Sequence, residues 1–234
     1  MSVPSAERLS LSEAAYRHLR DDIVSCRLAP GQRLTERALV ESTGFGISPI
    51  RDALTRLDHD GLVRTLPRKG YQVTPLTLKS VDDLFTLWRI LGPEIARLGV
   101  RDADPDQRQR AVAVFTELVE LRRGRPADVG LRIVELAAEA FQVLATATDN
   151  DYLITIYQRW QNDMARVWAL TAEANSPMPE FTADDDWLAI LDRRDGDAAA
   201  AHVEHFIADA HNRILRILSR WPSVVSSEIT PLRS

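Results

Sequence analysis

Between Arg37 and Gly70 the chain sets out polar and cationic residues at spacings that suit contact with a polyanion. Ser48 and Arg51 stand three apart, hence on one face of a helix, with Asp52 and Thr55 beside them. The opposite face carries Ile50, Ala53, Leu54 and Leu57, an apolar stripe. A helix held down by such a stripe keeps its other side available, and an arginine near its front can enter a major groove and read base edges. Arg37 falls on the short helix just before. Arg68, Lys69 and Gly70 fall at the tip of a hairpin, which suits a phosphate or a minor groove.

A second group of residues suits the binding of a small molecule. Arg89 sits on an otherwise apolar helix (Leu84, Phe85, Leu87, Trp88, Ile90, Leu91) and can pair with a carboxylate ligand; the competing role is a salt bridge to a neighbouring acid. Trp160, Gln161, Met164 and Trp168 recur at helical spacing and line either a cavity or a plain core. His205 and Asp209 lie one turn apart, where a carboxylate orients an imidazole. No nucleophile motif, phosphate loop, H-E-x-x-H or paired-cysteine site accompanies them, which points away from an enzyme.

The elements that must position the first group follow from start and stop signals. A helix is expected from Ser10 to Ser25, with Ala15, Leu19, Ile23 and Val24 inward and Arg17, Arg20 and Asp21 outward, after a mobile polar segment 1–9. Leu28 to Gly31 reads as a turn. Leu34, Ala38 and Leu39 recur at helical spacing, ending at Thr43-Gly44. The next helix is expected to be capped by Ser48, with Pro49 at its first position and Asp52 in its first turn. Leu62–Leu66 and Gly70–Thr74 read as strands joined through Pro67-Arg68-Lys69. Together these make a winged helix-turn-helix. Arg51 has a competing role in this reading, a salt bridge with Asp52 or Asp58.

The run from Gly46 to Leu54, G-I-S-P-I-R-D-A-L, followed by L-D-H-D-G-L-V from Leu57 and R-K-G-Y from Arg68, resembles the DNA-binding domain of the GntR family of bacterial transcription regulators. The resemblance covers residues 10–78 without gaps. It implies DNA-contacting roles for Arg37, Ser48, Arg51 and Gly70. Ile47 departs from it, standing where the family commonly carries an arginine, so the usual operator sequence is not implied.

From Pro75-Leu76-Thr77-Leu78 onward the pattern is helical, which predicts a mainly α protein. An N-terminal winged helix-turn-helix (10–78) with a small hairpin wing precedes an all-α bundle (79–221). Helices are expected at 79–99, 105–123, 128–147, 150–172, 182–194 and 197–220, with breaks at 102–105, 124–126, 149–150 and 175–177, and a loose tail after Pro222. Tyr152, Leu153, Ile154, Ile156, Tyr157 and Trp160 surround their helix and predict its burial on several sides. Such a body resembles the FCD-like effector domain of the FadR-type branch, which dimerises around a small-molecule pocket. Many domains of that branch hold a metal through one Asp and three His. Aligned on Thr148-Asp149-Asn150, two of those positions fall on Ala137 and Phe141, the third near 183–187, and only His205 has a counterpart. No metal or other cofactor is therefore expected. Glu135 with Glu139 reads as a solvated face, Asp184 to Asp186 as helix N-terminal charge, and His211 as a surface residue.

The chain carries a net charge of −5, unevenly spread. Residues 1–78 hold eleven Lys and Arg against nine Asp and Glu, and the remainder eighteen against twenty-five, so a +2 reader is attached to a −7 body. No apolar run reaches membrane-spanning length, and residues 1–10 lack the apolar stretch expected of a signal peptide; a single cysteine, Cys26, read as a packing residue, fits a reducing cytoplasm. The expectation is a cytoplasmic homodimer that binds a palindromic double-stranded operator and answers to a small effector such as an organic acid. A helical-body enzyme, a metal-dependent sensor and a winged-helix protein-interaction module are the alternatives.

Overall fold

The computed structural model describes residues 5–124, 130–173 and 185–219. The chain divides between Thr77 and Leu78 into two compact units. The first contains α1 (Ser5–Val24), β1 (Arg33–Leu34), α2 (Glu36–Thr43), α3 (Ile47–His59), β2 (Val63–Leu66) and β3 (Gly70–Val73). Its core joins Ala15, Leu19 and Ile23 of α1 to the α3 stripe Ile50, Ala53, Leu54 and Leu57, each at most 1% exposed, with Leu62, Val63 and Val73 closing the sheet side. Full burial of four residues along one face is what fixes the opposite face of α3 outward.

The sheet has the order β1-β3-β2, all pairs antiparallel, with Tyr71 of β3 opposite both Leu34 and Thr65. Strand β1 corrects the sequence reading: Leu34 is a strand residue, not part of the following helix, and Ala38 is exposed while Leu39 is buried. Gly70 is required here on two counts. Its φ is +80°, and a Cβ would stand 2.6 Å from the Leu34 carbonyl oxygen, because β1 crosses so closely. Helix α1 begins at Ser5, so residues 5–9 are helical rather than a mobile lead. Val24 and Arg20 are half-buried, and Cys26 lies beyond the helix in a left-handed turn, φ 59°. Residues 1–4, the breaks at 125–126 and 175–177, Asp184 and the tail after Pro222 lie outside the described residues.

The second unit is helical throughout its described residues: α4 (Leu78–Asp102), α5 (Pro105–Gly124), α6 (Gly130–Ala147), α7 (Asp151–Glu173), α8 (Asp185–Arg193) and α9 (Gly196–Leu218). Helix α4 is the axis, packed along α9 and against α6 and α7, while α5 lies on α6 and α8. Gly99 allows α4 to meet α6, since a Cβ there would fall 2.4 Å from the Leu144 carbonyl oxygen. Asn150 caps α7, its Oδ1 accepting from the Tyr152 and Leu153 amides at 3.1 and 3.2 Å, and Asp195 caps α9 through the Ala198 amide at 3.0 Å. Burial on α7 is narrower than the sequence implied: Tyr157 and Trp160 are inside, but Tyr152 is 84% and Ile156 43% exposed. Among the described residues no helix is long and apolar enough to cross a membrane.

Candidate nucleic-acid interface and ligand cavity

Helix α2 starts at an N-cap, Thr35, whose hydroxyl accepts from the Ala38 amide at 3.2 Å, and ends at Gly44 in the left-handed conformation. Helix α3 begins two residues earlier than the sequence suggested. Gly46, extended at φ −69° and ψ 165°, is its N-cap, without a side-chain bond, so Ser48 is not a cap but an exposed residue of the first turn. Ile47 is 49% exposed beside it. Three contacts tie α3 to α1: Ser12 Oγ donates to Asp52 Oδ2 at 2.9 Å, Tyr16 Oη to Asp60 Oδ2 at 2.7 Å, and Arg56 Nη1 to Glu13 Oε2 at 2.6 Å. The Arg56 guanidinium also lies 3.9 Å over the Tyr16 ring. Asp58 accepts from the Thr65 amide and hydroxyl at 3.1 and 3.2 Å, tying the wing to the same helix.

Arg51 therefore does not pair with Asp52 or Asp58. Its side chain, 61% exposed, meets Glu36 of α2 in a two-pronged contact, Nε to Oε1 at 3.1 Å and Nη2 to Oε2 at 2.8 Å. The Arg51 guanidinium holds the Glu36 carboxyl below its usual range, and the carboxylate raises Arg51 in turn. Glu36 was not a sequence candidate; it lies fifteen residues from Arg51 and carries no local signal of the pairing. Arg37 extends into solvent, 90% exposed, with Nε on Glu41 Oε1 at 2.9 Å. Arg68 and Lys69 are exposed at the hairpin tip, where the Lys69 amide donates to the Leu66 carbonyl at 2.9 Å and Arg68 takes a left-handed φ of 62°. Within this unit Ser48 and Arg51 share the exposed face of α3, and Arg68, Lys69 and Gly70 share the wing.

The second unit holds a partly open cavity of about 70 Å³ lined by Phe85, Trp88, Phe141, Tyr157, Trp160, Gln161, Met164, Trp168 and Phe206, with Ile133, Val134, Ala137, Ala138 and Ala165 beside them. Trp88 and Trp160 stack with centroids 4.1 Å apart at 15°, and Phe141 stands edge-on to Trp88 at 5.0 Å. The Trp160 indole donates to the Leu84 carbonyl at 3.0 Å and the Tyr157 hydroxyl to the Ala138 carbonyl at 3.3 Å. Burial pushes the Tyr157 hydroxyl far up, so it brings no charge.

Of the predicted effector residues, Trp160 and Met164 line this cavity, whereas Arg89 and His205 do not. Arg89 is exposed, with Nη1 2.9 Å from His211 Nδ1 and Nη2 donating to Thr86 Oγ1 at 3.2 Å. His211, expected at the surface, is only 9% exposed and stacks on Phe85 at 4.7 Å. Because a guanidinium only donates, His211 Nδ1 accepts and its proton sits on Nε2, 2.9 Å from Asp82 Oδ1 and off the line of a hydrogen bond. His205 is 79% exposed and 3.7 Å from Asp209. Glu139 and Glu135 pair with Arg110 and Arg132 at 3.0 and 3.4 Å, and Trp187 is fully buried against Phe115. Among the described residues no three metal-ligating side chains gather.

Comparison with known proteins places both units. The profile of bacterial regulatory proteins of the gntR family matches residues 11–73, and that of the FCD domain matches residues 83–209. An uncharacterized HTH-type regulator of Paraburkholderia xenovorans, BphR, is 35% identical over 116 residues, 50% of this chain and 47% of its own. The chain spans about half the length of the first curated relatives it matches, 47%, 41% and 58%. The repressor RspR of Escherichia coli is 26% identical over 219 residues, 90% of this chain and 93% of its own. In structure, E. coli McbR/YncC superposes with a TM-score of 0.72 at 17% identity, over 90% of this chain and 98% of its own. A GntR regulator from a Rhodococcus species gives 0.68 at 19% identity, over 88% and 98%. These two structures share the fold. With a gntR reader and an FCD body matched in sequence and the same architecture seen in three dimensions, the chain belongs to the GntR family of bacterial regulatory proteins.

Proposed function

We propose that this protein is a ligand-responsive regulator that binds a palindromic DNA operator as a homodimer. The observation that carries the reading is α3, whose fully buried stripe leaves Ser48 and Arg51 outward at the front of an exposed face. Arg51 and Ser48 contact base edges or phosphates, Arg37 a phosphate, and Arg68, Lys69 and the Gly70 backbone the neighbouring groove. Two readers on one duplex call for two-fold symmetry and matched half-sites. Ile90, Tyr152 and Ile156, large apolar side chains 67%, 84% and 43% exposed on α4 and α7, supply the surface that a partner copy covers. The effector is a small molecule seated in the cavity of the second unit. Arg89, expected to hold an organic acid, lies outside that wall. The place of action is the cytoplasm, with the DNA.

The test is selection of bound duplexes from a random pool, followed by gel shift of the selected sequence. Recovery of an inverted repeat, bound by two chains and lost on Arg51→Ala, supports the reading. A pool without enrichment, or affinity that ignores salt, overturns it in favour of a protein-interaction module.

A further inference from the structure

Resting on the reading of the cavity as the effector site, we infer that its ligand is a neutral, mainly apolar molecule built on one ring, with a single hydrogen-bonding group directed to Gln161. The wall argues against both of the other ways to hold an effector. The positions on which the branch's metal ligands fall, Ala137 and Phe141, do line the cavity, and neither side chain can ligate. His205, the remaining counterpart, points to solvent beside Asp209. The residues do not fit a metal centre; an apolar wall occupies its place.

Charge is missing as well. Among the described residues no charged side chain lines the cavity, and Arg89, next to Trp88 on α4, turns its guanidinium to His211. A carboxylate brought in would lose its water without gaining a counter-ion, which disfavours it heavily. Two of the wall's polar groups are already committed: Tyr157 bonds the Ala138 carbonyl and Trp160 the Leu84 carbonyl. The Trp88 and Trp168 indoles can only donate, whereas the Gln161 amide can both donate and accept, which makes it the group best able to orient a guest. The shape follows from the rings. Stacked Trp88 and Trp160 with Phe141 edge-on present flat walls that favour a planar occupant. At about 70 Å³ the space is smaller than the roughly 150 Å³ apolar cavity that takes up benzene, so a single ring is the upper limit and it enters as Met164, unbranched and on the wall, yields to it.

The test uses a matched pair, benzyl alcohol and benzoate, titrated into the full-length protein at neutral pH by tryptophan emission and calorimetry, with chelator or with added zinc. The expected result is saturable binding of benzyl alcohol at least about tenfold tighter than benzoate, insensitive to chelator. Gln161→Leu, checked for an unchanged melting temperature, should weaken benzyl alcohol about five- to tenfold while leaving toluene unaffected. Equal or tighter binding of benzoate, benzoate binding that appears with zinc, or saturation by neither compound overturns the inference. Binding of benzyl alcohol without any change in affinity for the selected DNA supports the ligand class and overturns the effector role, so the two failures are told apart.

Discussion

Glu36 holds Arg51 by the side of its guanidinium. Nε and Nη2 face the two carboxylate oxygens at 3.1 and 2.8 Å, which leaves the Nη1–Nη2 end directed away from the acid. That end is the edge with which an arginine spans the O6 and N7 acceptors of guanine. The pair thus fixes a side chain that would otherwise sample many rotamers, at a site 61% exposed. It also places a negative charge on the face proposed to meet DNA.

These two effects separate in one experiment. Arg51→Ala should cost about 1–3 kcal/mol on the selected operator and abolish preference at one base pair. Glu36→Gln should blunt preference at that same base pair, while binding to unrelated duplex strengthens because a repelling carboxylate is gone. Gel shifts on selected and scrambled duplexes read both. Unchanged discrimination in Glu36→Gln would reduce the contact to a surface salt bridge, which is commonly worth little.

On the wing, neighbouring residues should fail differently. Gly70→Ala forces a Cβ within 2.6 Å of the Leu34 carbonyl at a φ of +80°, so destabilisation of about 1–3 kcal/mol is expected in urea denaturation. Arg68→Ala and Lys69→Ala touch no such contact. Each should lower affinity evenly across sequences and reduce the salt slope by about one, with the melting temperature unchanged.

The link between α1 and α3 should respond to acid. Hydrogen bonds from Arg56 and then Arg17 hold the Glu13 carboxyl below its usual range. A depressed folded-state value means that the contribution is complete above the ordinary carboxylate value and is lost as pH falls through the lower one, below about pH 4. Denaturation followed from pH 6 to pH 3 should therefore decline less steeply in Glu13→Gln than in wild type. Parallel curves would show that other carboxylates govern the decline.

The exposed patch on the body has its own readout. Tyr152→Glu and Ile156→Glu, at positions 84% and 43% exposed, should leave folding by circular dichroism intact, because neither side chain is in the core. Both should shift sedimentation from dimer to monomer and weaken operator binding. A dimer that persists in the double variant places the interface elsewhere.

The sequence by itself determined what local repetition encodes. Ile50, Ala53, Leu54 and Leu57 declare a buried helix face, and hence which side of α3 faces outward, because side-chain direction follows the helical period. The hairpin and the six helices from α4 to α9 were legible for the same reason, as were Trp160 and Met164 on an apolar stripe. What only the tertiary structure decided involves partners distant in the chain. Strand β1 is two residues long and exists through its pairing with β3, so Leu34 reads as helical until Tyr71 is beside it. Glu36 and Arg51 belong to different helices, brought together by the turn between them. His211 looks like a surface residue in a polar stretch, and becomes buried because Phe85, Asp82 and Arg89 of α4 lie along α9. The same contact draws Arg89 away from the cavity, and Tyr152 and Ile156 stay exposed because the first turns of α7 pack along one face, that of Tyr157 and Trp160, while burial surrounds the helix only from Arg166 onward. Periodicity names the buried side of an element; which residue meets it there is set by how the helices stack.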